Sequence, residues 1–177
     1  MQINEVVLNV GQFFDEEINV IVGGVEVGGL SDENFGEPGK FIMPVDFSFH
    51  LYNMAYIDDL NELIAITEEL SEEEAYIIHT LKQTQKVFTN GNLVMTISDF
   101  NWIDEYKTLE NKLEIIRKFI SYCEYNNHDY IALIVEKEFA DEANVTEFPK
   151  MKQYEALGFE RVNIHPTPIM VKRLNEY

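Results

Sequence analysis

Residues 57–74 read IDDLNELIAITEELSEEE, and this stretch decides how the middle of the chain folds. It contains eight carboxylates and no lysine or arginine. Leucine and isoleucine recur within it every three or four residues, which predicts helices with one buried face. Ser71 followed by Glu74 matches a capping box, so the stretch is predicted to hold two helices instead of one. The remaining acidic side chains are expected to form a negatively charged face in solvent.

The segments on either side of this acidic helical pair predict an α+β fold. Residues 1–56 are rich in valine and isoleucine and are expected to form an N-terminal β-rich unit with a small antiparallel sheet. Residues 57–86 hold the acidic helical pair, and residues 87–177 are expected to form a C-terminal α/β unit with a mixed sheet. The three segments are also compatible with one compact domain.

Local signals divide the two outer units into elements. Gly23 and Gly24 predict a turn or bulge, because the spacing of neither phosphate-binding glycine motif is present. Asn90-Gly91, between KVFT and NLVMTI, predicts a hairpin. Apolar periodicity predicts the later elements: a helix over 104–125, a buried strand over 130–135, a short helix ending at Gly158, and strands near 159–163 and 168–173.

The charge of the chain is large and uneven. The 177 residues include 13 basic and 32 acidic side chains, for a formal net charge of −19. Residues 1–75 hold 17 acids and one base, net −16, while residues 76–177 hold 15 acids and 12 bases, net −3. Such a field disfavours nucleic acid and anionic membranes and favours a protein with a basic groove. The sequence has no apolar run of membrane-spanning length and no signal-peptide pattern, so a soluble cytoplasmic protein is expected.

The residues that usually carry chemistry form no recognisable site in the sequence. Cys123 is the single cysteine, which excludes a thiolate zinc site, and it lies in an apolar helical stripe typical of core. The four histidines lack the spacing of metal ligands, and no nucleophile elbow is present. The residues alone therefore predict no catalytic site, no metal and no cofactor.

Two segments carry a resemblance to a known family. VVLNVGQFFDEEI at 6–18 and FIMPVDFSFHLYNMAYIDDLNELIAITEELSEEE at 41–74 resemble the ArdA-type antirestriction proteins, which are acidic DNA mimics of similar length. The resemblance implies an elongated dimer whose carboxylates imitate bent B-form DNA. The expected function is that of a DNA-mimic inhibitor, encoded by a phage or mobile element, that occupies the DNA-binding groove of a restriction-type defence enzyme.

The same resemblance implies the partner and the binding residues. The partner is expected to be a basic DNA-binding protein of the type I restriction class, met in the host cytoplasm, and a homodimer is expected as well. The acidic positions in the two segments are the implied phosphate stand-ins; they are Asp15, Glu16, Glu17, Asp58, Asp59, Glu62, Glu68, Glu69, Glu72, Glu73 and Glu74.

The C-terminal part resembles a different family. QYEALGFERV followed by PIMVKRL is similar to the end of the GNAT-family acetyltransferases. This implies Tyr154 as the candidate general acid and TISDF at 96–100 as the strand facing the pantetheine arm of acetyl-CoA. Those enzymes receive the pyrophosphate on a glycine-rich turn at a helix N-terminus, whereas DEYKTLENKL at 104–113 has no glycine. The alternative function is thus a GNAT-fold acetyltransferase or a catalytically degenerate relative, with a plain core role for Tyr154 left open.

Overall fold

The computed structural model describes residues 1–31, 39–57, 59–83, 87–89, 91–142, 144–163 and 167–175. Within these ranges it contains seven β-strands and four α-helices. The strands are β1 Ile3–Asp15, β2 Val20–Ser31, β3 Phe41–Asn53, β4 Leu93–Trp102, β5 Tyr130–Ile134, β6 Glu160–Asn163 and β7 Ile169–Arg173. The helices are α1 Leu60–Leu70, α2 Glu72–Lys82, α3 Leu109–Tyr125 and α4 Pro149–Ala156.

The strands form one mixed sheet in the order β1-β2-β3-β4-β5-β7-β6. Neighbours from β1 to β4 are antiparallel, β5 runs parallel to β4, and β7 is antiparallel to both β5 and β6. The predicted α+β class is confirmed. The division into three units stays a prediction.

Helices cover both faces of the sheet because side chains alternate between the faces along each strand. One face packs against α1 and α2, and its buried residues include Tyr52, Val94 and Ala132. The opposite face packs against α3 and α4 through residues such as Phe49 and Ile97. None of the helices in the described ranges is long and apolar enough to cross a membrane.

The acidic stretch forms the two helices that its pattern predicts. The Asp59 side chain caps α1 by accepting a hydrogen bond from the backbone N–H of Asn61. The Ser71 side chain caps α2 by accepting from the backbone N–H of Glu74, with an N–O distance of 3.0 Å. Ser71 therefore ends one helix and begins the next, as predicted, but the reciprocal bond of a capping box is not formed, because the Ser71 N–H donates to the carbonyl of Thr67 and the Glu74 side chain binds Tyr52 and Thr96.

The prediction of a turn or bulge at Gly23 and Gly24 is wrong. Both glycines lie inside β2, and Gly23 stands opposite Phe49 of β3. A Cβ atom at Gly23 would lie 2.2 Å from the Phe49 ring, so the missing side chain makes room for that ring. The register shift of this strand pair lies further along, between Val27 and Gly29.

The predicted hairpin at Asn90-Gly91 is also wrong in the part of the chain that the structure describes. Residues 87–89 form no strand there, and β4 pairs instead with β3 and β5. Lys86 and Asn90 lie outside the described residues. The helix predicted over 104–125 begins at Leu109, because Thr108 caps it and a short 3-10 turn precedes it.

Candidate functional site

The parallel strands β4 and β5 separate halfway along β4. Residues 94–97 of β4 pair with residues 130–133 of β5, and the ladder then stops. Strand β4 continues to Trp102, while β5 ends one residue after the ladder. The edge of β4 over residues 98–102 therefore lies beyond the β5 ladder; the backbone N–H of Asp99 donates to Glu73, and the other backbone groups that face this side are available to an extended ligand.

A bulge in β4 causes this separation. Asp99 has a φ of 54°, in the left-handed region, and the ladder with β3 shifts by one residue between Ser98 and Asn101. An extra residue in one strand bends that strand and increases its local twist. The bend directs the end of β4 away from β5 and opens a crevice between them.

The crevice has a volume of about 500 Å³ and is rich in ionisable groups. Four acidic residues and two lysines line it; they are Glu73, Asp99, Glu136, Glu138, Lys107 and Lys137. Because carboxylates outnumber ammonium groups along these walls, the crevice favours a ligand with positive charge. The free backbone edge of β4 forms one wall of this crevice.

A buried lysine lies beside the crevice. Lys112, in the first turn of α3, is fully buried and forms an ion pair with Glu136. Its Nζ also lies 3.7 Å from the centroid of the Phe100 ring, a cation–π contact. Burial lowers the pKa of Lys112 to about 8, although the charge of Glu136 acts in the opposite direction. Lys107 also forms an ion pair with Glu136, with an N–O distance of 3.3 Å.

The shifted pKa of Lys112 predicts how stability changes with pH. Below about pH 8 the lysine is charged in both states, so the folded chain bears the full cost of the buried charge. In the unfolded chain this lysine has its ordinary pKa of 10.5. Between about pH 8 and pH 10.5 the folded state therefore releases the Lys112 proton while the unfolded chain still holds it. Because the unfolded chain then binds more protons, the free energy of unfolding rises with pH. We expect the unfolding free energy of the wild type, relative to Lys112→Met, to gain about 2 kcal/mol between about pH 7 and about pH 10.

Chemical denaturation of both proteins at the two pH values measures this gain. The comparison with Lys112→Met cancels the titration of the tyrosines and of Cys123, which both proteins share. A difference in unfolding free energy that is the same at both pH values would contradict a depressed pKa for Lys112.

Glu73 connects α2 to the bulge of β4. Its Oε2 accepts a hydrogen bond from the backbone N–H of Asp99, with an N–O distance of 3.4 Å. Partial burial raises the pKa of the Glu73 carboxyl, and the charges of Asp99 and Glu136 act in the same direction, whereas the hydrogen bond from Asp99 and the charge of Lys112 act against it. A carboxylate with a raised pKa in a crevice is a candidate proton acceptor.

The next residue, Glu74, has an entirely different environment. Its side chain is fully buried, and its Oε1 accepts hydrogen bonds from the hydroxyls of Tyr52 and Thr96, each with an O–O distance of 2.5 Å. The Nδ1 of His50 lies 3.2 Å from Oε2 of Glu74, without the geometry of a hydrogen bond. Burial raises the pKa of Tyr52 well above its usual value, and the Glu74 charge adds to this. Glu74 thus ties the start of α2 to β3 and β4.

The burial of Glu74 could have been predicted from its place in the sequence, although the acidic residues around it made that place look exposed. Glu74 shares one face of α2 with Ile77, Ile78 and Leu81, at intervals of three, four and seven residues, and all three are buried. A carboxylate on the apolar stripe of a helix is expected to be buried and paired. The prediction that Glu74 belongs to an exposed acidic face is wrong.

Tyr154 lies in α4 with its side chain fully buried. Its hydroxyl has no hydrogen-bond partner among the residues that the structure describes. Burial raises the pKa of Tyr154, and the charge of Glu136, which lines the crevice, raises it further. The ring packs edge-on against Phe159, with centroids 6.5 Å apart. Tyr154 therefore belongs to the core and carries an unpartnered hydroxyl within the field of Glu136.

The other predicted phosphate stand-ins do not act as one set. Asp15, Glu16 and Glu17 lie at the connection between β1 and β2, where Asp15 accepts from the backbone N–H of Glu17. Asp59 caps α1, and Glu68 lies 3.4 Å from the imidazole of His79. The exposed acids that remain in α1 and α2 are Glu62, Glu69 and Glu72. Asp58 lies outside the described residues.

The site was also compared with the needs of acetyl-CoA. The free edge of β4 suits the amide groups of a pantetheine arm. The first turn of α3 does not suit the diphosphate, because the chain's own N-terminal segment covers it: Asn111 accepts from the backbone N–H of Ile3 and donates to the carbonyl of Met1. The residues present therefore fit the thioester arm but do not fit the nucleotide end of acetyl-CoA.

No protein-family model matches the sequence, and no curated protein matches it significantly. A mutant agmatine N-acetyltransferase without ligand has a TM-score of 0.45 and 8% identity, over 85% of this chain and 76% of that one. The AHL synthase LasI has a TM-score of 0.45 and 9% identity, over 97% and 91%. An N-acetyltransferase from Staphylococcus aureus Mu50 has a TM-score of 0.39 and 9% identity, over 95% and 98%.

These results correct the function expected from the acidic pattern. The structures named above are transferases and a synthase, and none of those named is an antirestriction protein. Similarity at this level says nothing about activity. The placement of the carboxylates does bear on it: Glu74 is internal and cannot be a surface phosphate stand-in, and Asp59, although exposed, is engaged as a helix cap. The DNA-mimic, antirestriction interpretation is wrong.

Proposed function

We propose that this chain is an acyltransferase that moves an acyl group from a thioester to the nitrogen of a cationic amine. The observation that carries the proposal is the crevice where the parallel strands β4 and β5 separate. A free strand edge and an excess of carboxylates lie together there, and the buried hydroxyl of Tyr154 lies behind this wall, within the field of Glu136. An extended arm that contains amide groups can pair with the free edge of β4 as an added strand does.

The acidic walls of the crevice supply the binding site for the amine. Glu136 and Glu138 in the crevice wall are already paired with Lys107 and Lys112, whereas Glu73 and Asp99 belong to no ion pair of the described residues, so an ammonium group gains most of its attraction from Glu73 and Asp99. An adjoining trough of about 640 Å³ extends from Asn101 across the sheet and adds Glu26 and Asp46 without adding a lysine or arginine. A cationic amine with a long chain is the acceptor that suits this combination.

Glu73 is the proposed proton acceptor. An ammonium ion must lose a proton before its nitrogen can attack a carbonyl carbon, and a carboxylate with a raised pKa accepts that proton more readily. The neighbouring Glu74 positions it: because Glu74 is hydrogen-bonded to Tyr52 and Thr96 inside the fold, the first turn of α2 is held with Glu73 at the crevice.

Tyr154 is the proposed proton donor. After Glu73 takes the first proton, the amine nitrogen bonds to the thioester carbon and the carbon–sulfur bond breaks. The departing thiolate takes the hydroxyl proton of Tyr154, and the proton that the new amide nitrogen sheds restores that hydroxyl. The products are an amide, a thiol and one proton held on Glu73, so atoms and charges balance.

Two further properties stay predictions. The sequence predicts a cytoplasmic location, and it also predicts a homodimer through exposed strand edges. Sedimentation of the purified chain over a range of concentrations tests the dimer, which requires a mass twice that of the 20.6 kDa monomer.

A thiol-release assay tests the proposed activity. The purified chain is mixed with acetyl-pantetheine and a panel of monoamines, diamines and polyamines, and mass spectrometry identifies the acylated product. We expect thiol and N-acetyl amine in equal amounts, with diamines or polyamines preferred over neutral acceptors. Glu73→Gln should lower the rate at least about tenfold, whereas Glu69→Gln, an exposed site on α1, should leave it unchanged. Folded protein that acylates none of the amines from thioester donors would refute the proposal.

A further inference from the structure

We infer that the acyl donor of this site is a pantetheine-type thioester that lacks a nucleotide diphosphate. The inference rests on the proposed acyl transfer and narrows its donor. It comes from a difference between the two parts of the site that would hold a coenzyme A thioester. The crevice between β4 and β5 suits the neutral arm of such a donor, whereas the neighbouring first turn of α3 does not suit a diphosphate.

The backbone of the first turn of α3 is already engaged and covered. The hydroxyl of Thr108 accepts from the backbone N–H of Asn111, so one of the N–H groups that could bind an anion is taken. The Asn111 side chain is buried and makes three hydrogen bonds, to the backbone N–H of Ile3 and to the carbonyls of Met1 and Tyr106. A phosphate at this helix end would have to displace the segment that contains Met1 and Ile3.

The segment that leads into α3 and forms its first turn has a side chain at every residue. No glycine occurs over residues 103–113, so a bulky phosphate cannot come as close to the backbone as it can at a glycine turn. Tyr106, in the 3-10 turn before the helix, is buried and fixes the path of this segment. The loop therefore has little room to open around a diphosphate.

The charges at this end of the site oppose a diphosphate as well. Asp104, Glu105 and Glu110 are exposed beside the first turn of α3. Nearby cations are already engaged: Lys112 pairs with Glu136, Lys107 pairs with both Glu136 and Glu138, and the Met1 ammonium donates to the carbonyl of Glu105. A nucleotide diphosphate would add several negative charges to a region where carboxylates already exceed free ammonium groups, and like charges at short range repel.

The arm of a pantetheine thioester meets none of these obstacles. It is neutral, its amides can bond to the free edge of β4 over residues 98–102, and a crevice of about 500 Å³ can hold it. The structure thus supplies binding for the part of the donor that carries the acyl group. Among the described residues, the first turn of α3 supplies no open anion site for the nucleotide, which in a coenzyme A thioester is the larger and more strongly charged part.

Donor selectivity tests the inference. The ratio kcat/KM is measured for acetyl-pantetheine and for acetyl-CoA, which present the same acetyl thioester, with the same amine acceptor. We expect acetyl-pantetheine to be used as well as acetyl-CoA or better. A preference for acetyl-CoA greater than tenfold overturns the inference and leaves the proposed acyl transfer standing. Turnover of neither donor overturns both, because the donor inference rests on the activity.

Charge variants at the first turn of α3 provide a second measurement. The double variant Glu105→Gln, Glu110→Gln should raise kcat/KM for acetyl-CoA several-fold and leave that for acetyl-pantetheine unchanged, because only the former brings phosphates to this surface. Glu69→Gln, which lies on α1, is the matched control and should change neither value. If the double variant left the acetyl-CoA value unchanged, or changed both donors equally, the electrostatic basis of the inference would be overturned.

Discussion

Replacement of Tyr154 by phenylalanine is expected to lower kcat for acyl transfer at least about 100-fold without loss of stability. The hydroxyl is buried and has no hydrogen-bond partner among the described residues, so its removal breaks no contact found there and leaves the packing of the ring intact. The leaving thiolate, however, loses its proton donor. Steady-state kinetics and chemical denaturation of Tyr154→Phe measure the two effects separately.

The variant Tyr125→Phe is the matched control, because Tyr125 is 87% exposed on α3 and takes no part in the site. It should match the wild type in both measurements. Full activity in Tyr154→Phe would show that Tyr154 is only a core residue, the second role that its sequence motif allows. A large loss of stability would instead reveal a hydrogen-bond partner for the hydroxyl.

The variant Glu74→Ala is expected to lose about 3 kcal/mol of unfolding free energy. The substitution removes the shared acceptor of two buried hydroxyls, those of Tyr52 and Thr96, and leaves a cavity between α2 and the sheet. Unpaired buried hydroxyls and an unfilled cavity both destabilise the folded state. The same variant should lower activity, because Glu73 loses the anchor that holds it at the crevice.

Glu69→Ala is the control for this prediction, since Glu69 is an exposed glutamate of the same acidic stretch. Its stability should stay within about 0.5 kcal/mol of the wild type. If urea denaturation gave Glu74→Ala and Glu69→Ala equal stabilities, Glu74 would not be the internal anchor described here.

Much of the fold could be predicted from the sequence because its elements follow local rules. The N-cap Ser71 separates α1 from α2, and Gly158, with a φ of 86°, follows the end of α4. The hairpin at Asn90-Gly91 failed because the turn dipeptide is a local signal, whereas the partners of β4 are distant in sequence. β4 pairs with β3 and β5, and no local pattern specifies that choice.

The site was predicted only in part, for a related reason. Tyr154 was named from a motif, and residues 96–100 were named as the strand beside a donor arm. The crevice itself depends on the end of the ladder after Ile97 and on the bulge at Asp99, which are properties of paired strands. Lys112 was missed because a lysine in an amphipathic helix is normally solvated, and only the assembled fold surrounds it with Phe100 and Glu136.

The acidic stretch that opens the sequence has several separate roles. Asp59 caps α1, Glu73 faces the crevice, and Glu74 holds α2 to the sheet. Glu72 lies in the first turn of α2, where negative charge is favourable at a helix N-terminus. Nothing in the structure explains the exposed carboxylate of Glu69. The charge pattern and the family resemblance therefore predicted a single function for residues that the fold uses in different ways.

The most direct test of the account is to locate the donor on the sheet. Backbone amide NMR spectra are recorded while an unreactive thioether analogue of acetyl-pantetheine is added to the purified chain. Binding along the free edge of β4 predicts the largest shifts at residues 98–101 and at residues 134–138 after β5. Shifts confined to other surfaces, or none at millimolar analogue, would contradict the claim that the crevice between β4 and β5 is an acyl-transfer site.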